Sequence, residues 1–210
     1  MMRIGSRILG ATLAALAALA PEFAVAHTGH GEVSGFLHGA LHPLGGADHL
    51  LAMITVGLLA ASLGARALWA LPLSFVSVML AGGLIAINGM PAPFVGMPMP
   101  FVELGIALSV VVLGLVTAST VNGLVMATMA LASAFALFHG YAHGAEMPAD
   151  TSGAAYAAGF VLATALLHIG GIGLGLSAKR FGDGRKVIRI AGLLVACAGV
   201  GLVAMQIAGA

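Results

Sequence analysis

The sequence predicts an all-α membrane protein with six transmembrane helices, on three observations. Hydrophobic residues make up 60% of the chain and charged residues only 7%, with a mean hydropathy of +1.11, far outside the range of soluble globular domains. Apolar segments recur at about 36–63, 67–89, 94–118, 121–145, 153–178 and 187–208, each near the roughly 20 residues that one bilayer crossing needs. The stretches between them carry turn chemistry: Gly64-Ala65-Arg66, Met90-Pro91-Ala92-Pro93, Ser119-Thr120, Glu146-Met147-Pro148-Ala149-Asp150 and Lys179-Arg180-Phe181-Gly182-Asp183.

Ahead of these segments, Arg3 and Arg7 precede an apolar run from Ile8 to Ala20, then Pro21-Glu22 and the small-residue triplet Ala24-Val25-Ala26. This is the pattern of a secretory signal peptide over residues 1–26, since the apolar run is short for a spanning helix. Cleavage after Ala26 leaves His27 at the start of a single six-helix domain, 27–210, with both mature termini on the periplasmic side. Loop charge gives the same orientation through the positive-inside rule. Arg66 and the group Lys179, Arg180, Arg185, Lys186 and Arg189 fall in cytoplasmic loops, while Glu146 and Asp150 face out.

The 31 glycines would weaken helices in water but allow close backbone approach in a membrane. Gly171 and Gly175 form a GxxxG pair within the densest run. Cys197 is the one cysteine, which excludes an intrachain disulfide and a thiolate metal cage. The basic residues form no stripe, which argues against nucleic acid as a partner.

Against this apolar background, ionisable residues gather in two short clusters, His42-Pro43-Leu44-Gly45-Gly46-Ala47-Asp48-His49 and His139-Gly140-Tyr141-Ala142-His143-Gly144-Ala145-Glu146. Charge-capable groups in lipid are costly and usually mark a pathway or a site. Imidazole with carboxylate suits a borderline divalent transition metal. Residues four and seven apart lie within about 40° around a helix, so His139, His143 and Glu146 share one face and read as a ligand face. Glu146, at the helix end, could also be simply solvated.

His38, His42 and His49 would align on an unbroken helix, with Asp48 roughly 100° from His49. Pro43 and Gly45-Gly46 favour a broken helix instead, with free carbonyls facing a cavity. Asp48 is then a ligand, a helix cap or the partner that orients His49. His38 is either a ligand at the entrance or an interfacial histidine.

Glu103 follows Pro98 and Pro100 and is expected in the first turn of the third segment, where the helix dipole favours a carboxylate. Its position at the outer membrane level also suits a site or an entrance path. His168 lies about 20 Å into the fifth segment at roughly 1.5 Å per residue, as an exit ligand, a proton acceptor or a packing group. His27, His30 and Glu32 offer an external capture site or a polar leader. Met97 and Met99 are soft donors or packing residues.

At the two motifs the chain resembles the HupE/UreJ family of nickel/cobalt permeases. Its first membrane helix carries His-Pro-x-x-Gly-x-Asp-His and a later helix Phe-His-Gly-x-Ala-His-Gly-x-Glu, matched here by His42–His49 and Phe138–Glu146. The similarity extends to the leader, the helix number and Glu103. It implies secondary uptake of Ni²⁺ or Co²⁺ across the bacterial inner membrane, commonly supplying hydrogenase or urease maturation. The family is similar to larger nickel/cobalt transporters with a His-x4-Asp-His signature. Here His42 and Asp48 stand one residue farther apart, so ligands are not carried over from that wider group.

The residues and the resemblance together predict a permease in which His42, Asp48, His49, His139 and His143 strip water from a divalent cation between the first and fourth segments. Ni²⁺ or Co²⁺ is then the transported substrate, with no prosthetic group, no catalytic residues and the lipid bilayer as surroundings. No nucleotide-binding loop is present in the sequence, so the drive is an ion gradient, the membrane potential or a partner subunit. The rival class is an intramembrane zinc hydrolase, which would keep one metal position open to water. A metal-sensing or assembly subunit is a third class, without a soluble output domain to support it.

Overall fold

The computed structural model describes residues 35–64, 66–90, 99–119, 125–148, 152–180 and 183–209. The expected leader, His27, His30, Glu32 and Met97 lie outside the described residues. The described residues form one compact unit. The described residues are helical throughout, without a strand: α1 (Gly35–Gly45), α2 (Ala47–Leu63), α3 (Ala67–Ile87), α4 (Met99–Ala118), α5 (Val125–Ala145), α6 (Gly153–Lys179) and α7 (Gly184–Ala208). Helices α3 to α7 are each long and apolar enough to cross a membrane, as expected of a multi-pass membrane protein.

The first expected segment is broken, as Pro43 and Gly45-Gly46 favoured. Instead of one helix over 36–63, α1 and α2 meet at an 85° bend, so the alignment of His38, His42 and His49 on one straight helix does not hold. The cause is local. Pro43 sits inside α1 without an N–H to donate, and Gly46 adopts an extended backbone (φ −109°, ψ 125°), which ends α1 before the ladder restarts with the Leu50 amide on the Gly46 carbonyl. The bent pair forms either one broken span or a re-entrant turn; with it the spans number up to six.

Helix α2 is the centre of the bundle. It packs against each of the other six helices, and every residue from Thr55 to Ala61 is buried. A helix that is apolar all round belongs in such a position. The outer helices instead turn one stripe to lipid, with Trp69, Leu73 and Leu84 on α3 and Leu162, Leu166 and Ile169 on α6 exposed.

Close helix approach depends on glycine at two places in particular. A Cβ on Gly140 would run into the Met79 backbone, so α5 lies directly on α3. Gly171 and Gly175, the expected GxxxG pair, seat α6 on Ile54, Gly57 and Ala61 of α2. In both pairs the contacts advance in the same direction along each helix, so α3 runs parallel to α5 and α2 to α6. The last helix starts at Gly184, three residues ahead of the expected 187.

The end of the bundle opposite the histidines is clamped by cations. Lys179 donates to the carbonyls of Ala61 (2.6 Å) and Ser62 (3.3 Å), and Arg189 donates to that of Ala118 (3.1 Å). Each covers carbonyls that a helix C-terminus leaves unpaired.

Replacing Gly140 by valine forces α5 off α3 and is expected to destabilise the protein by about 1–3 kcal/mol. It should show as a lower thermal unfolding midpoint in detergent. Gly170→Ala, where an added Cβ meets nothing, should leave the midpoint unchanged.

Candidate metal centre

The site is built around the start of α2. Asp48 stands in the first turn of that helix. Its Oδ1 accepts the backbone N–H of His49 at 2.7 Å and Nδ1 of the same residue at 2.9 Å. A carboxylate only accepts, so Nδ1 carries the ring proton and Nε2 keeps its lone pair. That Nε2 is buried and has no hydrogen-bond partner. Asp48 therefore orients His49 in the way that carboxylates orient metal-binding histidines.

Helix α5 brings His139 and His143 to the same place. His139 is fully buried, with Nε2 3.0 Å from the Ser109 hydroxyl of α4. That hydroxyl has one proton and gives it to the Ile106 carbonyl at 2.6 Å. Ser109 thus accepts from Nε2–H, and the His139 lone pair is left on Nδ1, again buried without a partner. His143 has both nitrogens buried and unpartnered. Ring centroids lie 4.2 Å apart for His49 and His143, and 4.8 Å for His49 and His139.

At the outer edge, the two motifs join directly. His42 Nε2 on α1 lies 3.0 Å from Glu146 Oε2, just past the end of α5, and the His42 ring is 4.7 Å from that of His143. One ligand atom from each of His42, His143 and Glu146 falls within 4.8 Å of the others, close enough for one cation to collect all three after small side-chain rotations. Glu146 is exposed but tied across the site by its bond to His42.

Such a group is poor as core packing. An unpaired polar atom in a dry interior costs about 1–3 kcal/mol. A cation that takes up the lone pairs removes that penalty, and imidazole with carboxylate is the donor set of a borderline divalent ion.

The other expected residues fall around this centre. Glu103 is partly buried on α4 and lies within electrostatic range of Glu146, His49 and Asp48. It is the fifth residue of the described helix, past the first turn where it was expected, so the helix dipole does not account for it. His38 is exposed, its ring 6.3 Å from His42 and 6.1 Å from Tyr156. Met99 opens α4. His168 stands apart from the cluster, 1% exposed, with its ring edge-on to Phe75 at 5.4 Å.

Four neighbours of the site escape a reading by motif. Ser109 fixes the His139 tautomer, Phe160 packs on His143 at 4.0 Å, Tyr156 lies 6.0 Å from His42, and Phe75 lies 5.7 Å from His139. Tyr156, Phe160 and His168 recur at multiples of four, a stripe visible in the sequence. Ser109 has no such signal.

Asp48→Asn, which leaves the His49 tautomer unfixed, is expected to weaken metal binding by about 10–100-fold. Ser109→Ala should weaken it less, because burial still holds the His139 ring in place. Equilibrium dialysis of ⁵⁷Co²⁺ against the purified variants checks both.

Comparison with known proteins extends the likeness beyond the motifs. The family model described as HupE / UreJ protein matches residues 13–202. Protein HupE of Rhizobium leguminosarum bv. viciae is 43% identical over 192 residues, covering 91% of this chain and 94% of its own. No solved structure matches. With the family model matched over most of its length, the chain belongs to the HupE/UreJ family.

Proposed function

We propose that this protein carries out secondary uptake of a divalent transition metal, Ni²⁺ or Co²⁺, across the bacterial inner membrane. The observation that supports this reading most is the convergence of His42, His49, His139, His143 and Glu146 from three helices, with four buried ring nitrogens left without partners. Family membership favours the same cargo.

Burial increases inward through the site, from exposed Glu146 and partly buried His42 to buried His143, His49 and His139. An ion captured at His42 and Glu146 exchanges bound water for imidazole in steps, and mixed weak ligation lets it leave again. Asp48 holds the His49 lone pair available, and Glu103 adds negative charge nearby. Under the expected orientation the site faces the periplasm and the cation-clamped end faces the cytoplasm, where the metal would supply hydrogenase or urease maturation.

In proteoliposomes, wild-type protein should accumulate ⁶³Ni²⁺ or ⁵⁷Co²⁺, and replacing His42, Asp48 and His49 together by alanine should reduce uptake to that of empty liposomes. Uptake at the wild-type rate by the triple variant would overturn the proposal. Acidifying the outer medium should slow uptake, because a protonated imidazole has no lone pair for the ion. Initial rates at about pH 7.5 and about pH 5.5, on either side of the ordinary histidine range, measure that competition.

A further inference from the structure

Beyond the outer cluster, we propose that His168 is a second metal-binding station, placed inward of the first and reached past Phe75; the inference rests on the uptake reading. Four buried residues of α6, Tyr156, Phe160, Thr164 and His168, recur every fourth position and therefore form one stripe along the helix. Its first two members touch the outer site, Tyr156 beside His42 and Phe160 against His143. The last two face α3, where Thr164 Oγ1 lies 4.0 Å from Met79 Sδ and His168 packs on Phe75. Phe75 touches His139 on the outer side as well, so a single ring links the innermost residue of the cluster to His168.

The chemistry of this second place differs from packing. Both nitrogens of His168 are buried without a hydrogen-bond partner, a desolvation penalty that leucine or phenylalanine would avoid. One helical turn nearer the outer site on each helix, the thioether of Met79 and the hydroxyl of Thr164 meet in a long, weak contact. These groups offer a borderline ion weak donors in succession, thioether and hydroxyl first and the imidazole of His168 one turn farther in. An inner station needs weak binding, since an ion passed from the outer cluster must leave again.

The test compares His168→Leu with His168→Met, which supplies a metal donor but no proton-accepting group at neutral pH. Outer-site binding is measured by ⁵⁷Co²⁺ dialysis in detergent, and uptake by ⁵⁷Co²⁺ accumulation in proteoliposomes. His168→Leu is expected to bind within about twofold of wild type yet to lose about tenfold in uptake, the scale of effect seen when metal sites lose a supporting group. His168→Met should recover part of that loss. The proposal is overturned by wild-type uptake in His168→Leu, by equal loss in both variants, which assigns a proton role, or by loss of dialysis binding in both, which assigns a structural one. Absence of uptake by the wild-type protein would remove the transport reading itself, and this inference with it.

Discussion

Imidazole nitrogens withdrawn from water need partners, and the arrangement of this bundle follows from how few are supplied. Asp48 and Ser109 each engage one ring nitrogen, of His49 and His139, and so fix where the proton sits. The opposite nitrogens, and both of His143, are left bare. Two tautomers set by hydrogen bonds turn a group of histidines into lone pairs concentrated in one small region, an arrangement that a cation stabilises and that an empty apolar core does not.

Holding that region together takes a rigid frame, and small residues provide it. Glycine contacts lock α3 to α5 and α6 to α2, so the helix that carries His139 and His143 and the helix that carries His49 are each seated closely on a neighbour. The central helix α2 contributes His49 from the middle of the bundle, while the bend at Gly46 sends α1 across α6 and brings His42 in from the side. A straight helix would carry His42 and His49 along one axis. The bend lets them approach His143 from two directions.

Much of this was legible in the residues. Hydropathy located the long helices, because a bilayer fixes span length directly. The helix break was legible too, since Pro43 lacks a donor and Gly45-Gly46 disfavour helix. The shared face of His139 and His143 followed from helical periodicity. Other features were out of reach. The role expected for Glu103 in a first helical turn depended on where the helix begins, and the described helix places it one turn later. Ser109 sits 30 residues from His139, and no local pattern announces a hydrogen bond between two helices.

By itself, then, the sequence determined an apolar helical protein, the places where its chain must break, and two imidazole-carboxylate motifs suited to a divalent metal, because these depend on composition and on interactions between near neighbours in the chain. Only the tertiary structure decided the 85° angle at Gly46, the joining of both motifs through His42 and Glu146, the tautomers of His49 and His139, and the seating of His168 behind Phe75. Apart from the local Asp48–His49 bond and the local break at Gly46, these result from packing between helices distant in sequence, where which side chains meet is set by close backbone contact and not by spacing along the chain.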